Sequence, residues 1–382
     1  MVKHRKMMRP NSAGSNSSEE YRRVVRGGNR DRRNSRRDLD IADESHENYD
    51  NKRMWRTFLD TVDTKTLDEV ARFQILSFAI KHPLPQRHRL RLWRHHVFRE
   101  TPVDAPELKA LISGELKPEQ TSAVDCIMMD IPRTPWVSEA DEEEGLTHVL
   151  IGFSIRHKEI GYTQGLNLVG MIPLVVGFNE FETLALLEKI VCQGGLLEGC
   201  PGKEDLSVFQ LKAATSLVVI QRRFPSLAAR LREARVDLTL VSFDAFLSLF
   251  ASRMPLHAVL RFWDFCILAH EPEVIPDHLP TAPVLALLIA QLQCILVQLP
   301  PDEDDDHLLV GFHRVLAELS VEKTEDCLAQ AMRFLPIVKS ALNELKFSFT
   351  PLPAIQSLSP SESFQSEEEL SIDWELSSNS DF

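Results

Sequence analysis

From Met54 onward, apolar positions recur at intervals of three and four: Met54, Trp55, Phe58, Leu59 and Val62. That interval keeps side chains on one face of an α-helix. The same period predicts helices over 66–80, 87–99, 142–157, 180–193, 206–232, 243–252, 256–269, 282–298, 305–319 and 323–345. In 256–269, Leu256, Val259, Leu260, Trp263 and Ile267 are expected to form one buried stripe. No alternating run is long enough to build a sheet, and no internal repeat is present. The pattern therefore predicts an all-α fold. The longest apolar stretches, Leu168 to Phe178 and Val284 to Val297, are too short, or too interrupted by Gln291 and Gln293, to cross a bilayer.

The pattern stops at both ends. Residues 1–50 are rich in Ser, Asn, Gly and Arg without a helical or strand period, and are expected to be a disordered basic arm. A folded domain is expected over 51–346, and 347–382 reads as a disordered acidic, Ser-rich tail. The net charge of −13 conceals this polarity: residues 1–40 hold twelve Lys/Arg against five Asp/Glu, a surplus of +7, which leaves −20 for the remainder. An acidic body argues against nucleic-acid binding by the folded part. The pairs Arg22-Arg23, Arg32-Arg33 and Arg36-Arg37 suit contact with an anionic membrane surface or an import receptor. The basic N-terminus has no apolar core behind it, so it does not read as a secretory signal. Six scattered cysteines without a CxxC suggest neither a disulfide framework nor a zinc ribbon, and fit a reducing cytoplasm.

Several chemical motifs fail. Gly202-Lys203 approaches a phosphate-binding loop, but Glu204 follows where Ser or Thr is required, and Leu197 stands where the first glycine belongs. The chain is thus not expected to hydrolyse nucleotide by itself. His88, His95 and His96 sit among arginines, which disfavours a metal cation, and Asp302 to Asp306 lack Ca²⁺-loop spacing. No metal or cofactor of its own is expected. Cys126 reads as a buried apolar residue.

Three other segments are more specific. In Ile127-Met128-Met129-Asp130-Ile131-Pro132-Arg133-Thr134-Pro135-Trp136, two prolines bracket one arginine. Each proline fixes its own φ and biases its predecessor away from helix, so Arg133 is expected on a stiff, non-helical loop. Arg133 there serves either a partner or simply Asp130 or a helix end. Ser138, with acids at 139, 141 and 142, is expected to cap the next helix. In Gly161-Tyr162-Thr163-Gln164-Gly165-Leu166-Asn167, two glycines bracket a tripeptide. Read as an extended loop, it would turn Tyr162 and Gln164 to the same side; the other reading is a buried turn whose Tyr and Gln satisfy backbone groups. Tyr21 and Tyr49 fall in the arm, so Tyr162 is the one tyrosine of the predicted domain. In Arg89-Leu90-Arg91-Leu92-Trp93, Arg89 and Trp93 are helical neighbours, and the guanidinium is expected over the indole.

Together, in this order, the three segments resemble the TBC domain, the family that activates the GTPase activity of Rab proteins. The family's signatures RxxxW, IxxDxxRT and YxQ appear as Arg89 to Trp93, Ile127-Asp130-Arg133-Thr134, and Tyr162 to Gln164. A later helix ending in Trp263-Asp264 is also similar to the family's second half. The chain departs from the family pattern at Pro135-Trp136, where Phe-Pro is usual, and at Thr163 and Leu166. The resemblance implies a two-lobed helical domain that accelerates GTP hydrolysis by a GTP-bound Rab. It implies Arg133 as an arginine finger and Gln164 as a glutamine finger, both in trans. Asp130, Thr134, Tyr162 and Asn167 would support them, and Arg89, Trp93, Trp263 and Asp264 would be architectural. GTP and Mg²⁺ would be carried by the partner. A role in vesicle trafficking and a cytoplasmic location peripheral to endomembranes would follow from the partner. The alternative is a catalytically silent Rab-binding scaffold on the same fold.

Overall fold

The structure is a computed structural model that describes residues 46–62, 68–97, 105–116, 121–137, 140–193, 207–233, 236, 238–269, 281–296 and 315–348. Every regular element among them is helical. The first half comprises α1 (His46–Leu59), α2 (Glu69–Lys81), α3 (Gln86–Val97), α4 (Pro106–Ile112), α5 (Ser122–Asp130), α6 (Ala140–Arg156), α7 (Leu166–Val176) and α8 (Glu180–Glu188). The second comprises α9 (Ser207–Arg223), α10 (Pro225–Glu233), α11 (Leu238–Leu247), α12 (Leu256–Ala269), α13 (Ala282–Leu296) and α14 (Val321–Ser348).

Local chemistry sets the ends. Asp68 caps α2 by accepting from the Ala71 amide at 2.8 Å, and Thr121 caps α5 through Val124 N at 3.3 Å. Asn179 and Glu182 form a reciprocal capping box at the start of α8. Gly165 and Gly177 bound α7 with φ of 105° and 102°, values that favour glycine.

The structure corrects the sequence reading in specific places. The helices α4, α5 and α7 were not expected. The segment 206–232 divides into α9 and α10, because Phe224 lies outside helix and Pro225 opens the next one. The expected 243–252 helix lies earlier, at Leu238–Leu247. The 180–193 helix becomes a π-type turn after Glu188. Ile267 is only half-buried, and from Ala258 to Phe265 every residue of α12 is buried, so burial there is not confined to a stripe. Cys126 is likewise half-buried. The Ser138 cap, Gly202-Lys203, Asp302 to Asp306, most of 305–319, and residues 1–45 and 349–382 of the expected tails lie outside the described residues, whereas 46–50 and 347–348, also expected in the tails, are helical as parts of α1 and α14.

Packing forms two lobes. In one, α6 contacts α4, α5, α7 and α8; in the other, α13 contacts α10, α11 and α12, and α9 contacts α10 and α11. The two are bridged by α12 against α2 and α3, and by α3 against α7. α13 is apolar and buried from Ala282 to Leu292. Even its Gln291 is enclosed and donates to the Met254 sulfur at 3.3 Å. Among the described residues, no helix is long and apolar enough to cross a membrane.

Candidate functional site

The arginine loop begins where α5 ends. Ile131–Arg133 forms one 3-10 turn, where the sequence predicted a non-helical loop. Pro132 fits early in such a turn, where no amide is needed. Thr134 closes it: its amide donates to Ile131 O at 3.1 Å, and its hydroxyl donates to Asp130 O at 2.9 Å. Pro135 is followed by Trp136 at φ 66°, an uncommon conformation for a bulky residue. The indole is 7% exposed, and its burial stabilises the turn. Ile131 and Thr134 face the core, while Arg133 is exposed.

The glutamine loop is a turn, not an extended strand. Gly161 has φ of 62°, and the Leu166 amide donates to Thr163 O at 3.1 Å. Tyr162 and Gln164 therefore point apart, against the extended-loop reading: Tyr162 is buried, as the turn reading has it, and Gln164 is exposed. A Cβ at Gly165 would stand 3.2 Å from Leu247 O, so the loop is pressed onto the end of α11.

Two hydrogen bonds tie the loops together. The Tyr162 hydroxyl donates to Asp130 Oδ2 at 2.8 Å. Asn167 Nδ2 donates to Thr134 Oγ1 at 2.8 Å, and Asn167 Oδ1 accepts from the Gly165 amide at 3.3 Å. Burial first, and then the Asp130 carboxylate, push the Tyr162 hydroxyl far above its ordinary value, so it remains a donor. All four residues expected to support Arg133 and Gln164 thus lie in one seam, Thr134, Tyr162 and Asn167 buried and Asp130 half-buried, with the two longer side chains emerging from it.

The remaining predicted residues lie beneath. Arg89 binds Asp264 through Nε at 2.9 Å and Nη2 at 3.0 Å. Trp93 Nε1 donates to the same carboxylate at 2.9 Å. The arginine and the tryptophan are thus coupled by a shared acid on α12, where stacking of one on the other was expected. Trp93 instead stacks with Trp263, ring centroids 5.7 Å apart. Complete burial pushes the Asp264 carboxyl up, against the pull of Arg89 and Trp93. Trp263 Nε1 donates to Leu249 O at 3.0 Å. That bond holds the turn in which Leu249 and Phe250 take φ of 49° and 67°. Leu247, which abuts Gly165, immediately precedes this turn.

Two features were missed from the sequence. Arg261 is 4% exposed and donates to Ala79 O at 3.2 Å and to Ile80 O, closing the carbonyl end of α2. Beside the arginine turn, Met128 and Met129 are each 56% exposed.

The sequence profile of the Rab-GTPase-TBC domain family matches residues 86–293. TBC1 domain family member 2A of Mus musculus is 30% identical over 209 residues, covering 52% of this chain and 22% of that protein. GTPase-activating protein GYP5 of Eremothecium gossypii is 30% identical over 200 residues, covering 52% and 23%. The match thus spans less than a quarter of each relative. Among solved structures, the Chlamydomonas flagellar RabGAP TBC domain superposes with a TM-score of 0.55 at 18% identity, covering 78% of this chain and 93% of that one. The Ypt/Rab-GAP domain of Gyp1p gives 0.55 at 18%, covering 74% and 97%. At this identity these two matches establish the shared fold.

Proposed function

The chain belongs to the Rab-GTPase-TBC domain family, and we propose that it accelerates GTP hydrolysis by a Rab-type small GTPase, supplying Arg133 and Gln164 in trans. The observation that carries this reading is the seam: two exposed polar side chains stand on separate loops cross-tied by Tyr162–Asp130 and Asn167–Thr134. Phosphoryl transfer to water needs compensation of charge on the phosphoryl oxygens and placement of the attacking water. A guanidinium at Arg133 serves the first need and a carboxamide at Gln164 the second. No covalent intermediate is required of this chain, so its contribution is position and electrostatics in a site that excludes water on docking. Asp130 and Thr134 act on Arg133 through the 3-10 turn, whereas Tyr162 and Asn167 fix the loop of Gln164. GTP and Mg²⁺ belong to the partner. Met128 and Met129 offer it apolar, adaptable contact beside the reacting groups.

In this reading residues 51–346 form the activating domain and the chain acts in vesicle trafficking. It works at the cytoplasmic face of endomembranes, brought there by its Rab, with membrane contact through the basic arm. The test is single-turnover GTP hydrolysis by a panel of purified Rab proteins with and without this chain. Acceleration of at least one member supports the proposal. Binding without acceleration would assign a silent scaffold instead. A Rab whose own switch glutamine is mutated should stay partly responsive, because Gln164 takes over its task.

A further inference from the structure

One charged surface has no part in the catalytic loops. On α3, Arg87 and Arg91 are one turn apart and both exposed. The helix QRHRLRLWRHHV contains no acid, and like charges at this spacing weaken a helix. Two other arginines of α3 are neutralised, Arg89 by Asp264 and Arg94 by Glu182. Among the described residues no carboxylate pairs with Arg87, Arg91 or Arg56 of α1. All three act on His88, which is 9% exposed. Its proton affinity is lowered first by burial and then by Arg87, Arg91 and Arg56. Arg87 Nε lies 3.4 Å from His88 Nε2. Three guanidiniums thus gather around one buried imidazole.

The other flank of α1 is apolar. Trp55 faces the core with no exposure, so Met54 and Arg56 on either side of it project to opposite flanks. Met54 is 40% exposed, and α2 beside it exposes Val70 at 65% and Phe73 at 60%. Phe73 lines a cleft of about 530 Å³ together with Phe58 and Phe78. Residues 1–40, with their surplus of +7, lead into this same helix. Exposed acids do occur there, Asp50 on α1, Asp60 just after it, and Asp68 and Glu69 at the start of α2, but the exposed cations Arg53, Arg56, Lys81, Arg87 and Arg91 outnumber them.

We propose that α1 is the ridge of a docking face for an anionic bilayer, with Arg56, Arg87 and Arg91 meeting headgroup phosphates while Met54, Val70 and Phe73 enter the interfacial layer. A bilayer presents phosphate and hydrocarbon side by side over a breadth that meets both flanks of one helix. A polybasic segment next to such a face adds to the same attraction. The face leaves the catalytic loops uncovered. Gln86 Nε2 donates to Val175 O and Val176 O at 3.1 and 2.9 Å, which sets the arginine cluster at the C-terminal end of α7. Gln164 precedes the N-terminal end, and an eleven-residue helix separates the two by about 16 Å. The inference deepens the membrane part of the proposed function and is independent of its GTPase chemistry.

The experiment is co-sedimentation of the full chain with phosphatidylcholine vesicles, with and without phosphatidylserine. The unaltered chain should bind the anionic vesicles selectively. Arg56→Gln/Arg87→Gln/Arg91→Gln should weaken that binding on the order of a hundredfold, from the affinity contributed by three surface charges. The corresponding triple Lys variant should keep most of it, because the face reads charge. Val70→Ser/Phe73→Ser should remove the part of binding that survives high salt. Wild-type binding by the triple Gln variant would overturn the proposal, since the arm alone would then account for attachment. Equal loss in the Lys and Gln variants would also overturn it. Hydrolysis by soluble Rab, measured on the same samples, should be unchanged, and its absence in every sample would instead refute the GTPase-activating reading.

Discussion

Arg133 is exposed at the end of a 3-10 turn whose neighbours Ile131 and Thr134 are buried, so its substitution can alter chemistry without disturbing packing. A trans arginine accounts for roughly 10³–10⁵ in rate. Arg133→Ala should therefore abolish most stimulation in single-turnover assays while leaving the urea unfolding midpoint in place. Arg133→Lys should not restore it, because a point charge lacks the planar fork. Tyr162 tests the seam differently. Tyr162→Phe keeps the ring in its buried place but removes the bond to Asp130. It should cost about 1 kcal/mol in stability, and lower the hydrolysis rate more than the affinity for Rab, since it loosens a loop that does not itself hold the partner. Met128 and Met129 should behave in the opposite sense. Each is 56% exposed, so Met128→Ser/Met129→Ser should raise the dissociation constant for the Rab with no loss of thermal stability. The prolines around Arg133 made its loop legible as stiff. The facing of Tyr162 and Gln164 was misread because the sign of φ at Gly161 and Gly165, which turns the chain between them, is not written in a glycine.

At the level of elements, the sequence reveals most of the long helices, including the wholly buried α13, and hides α4, α5 and α7. α7 carries a glycine at each end and Pro173 within it, and it is buried almost all round, so no period marks it. Its proline is accommodated inside the helix, and its last turn closes through bonds from the Gly177 and Phe178 amides to Pro173 O. α4 and α5 are only seven and nine residues long, too short to show a period. The caps that set several of these ends, Asp68, Thr121 and Asn179, are residue types that cap well, but they were not singled out from the sequence. The pairing of α3 with α12 lay beyond reach from spacing, because Arg89 and Asp264 are 175 residues apart. That pair is a polar joint between α3 and α12, and both side chains are buried, at 7% and 4% exposure. Removing one member of a buried ion pair leaves the other charge without compensation, at a cost of about 3–5 kcal/mol. Asp264→Ala should lower the urea midpoint accordingly, and it should lose stimulation only to the extent that unfolded chain accumulates. A variant that remains fully folded but inactive would give Asp264 a role in the chemistry that its place beneath the site does not suggest.

Across the whole molecule, charge is segregated along the chain, +7 in residues 1–40 and −20 in the rest. Fold and chemistry depend little on that polarity, for the seam, the Arg89–Asp264 joint and both lobes are built from residues after His46. The arm begins its influence where the solvent does, through screened attraction to anionic surfaces. Since α1 starts at His46, removal of residues 1–40 spares every described helix. The truncated chain should stimulate GTP hydrolysis by soluble Rab to the full extent, because neither Arg133, Gln164 nor the seam behind them lies in the removed part. On anionic vesicles the same truncation should weaken attachment, and the deficit should shrink as salt is raised, because the lost contribution is electrostatic. Rates on soluble and vesicle-bound Rab, each taken across a salt series, separate the two effects. A large loss of rate on soluble Rab would mean that the arm completes the activating domain. A loss confined to vesicles and erased by salt would mean that it governs where the domain acts, while Arg133 and Gln164 govern what it does.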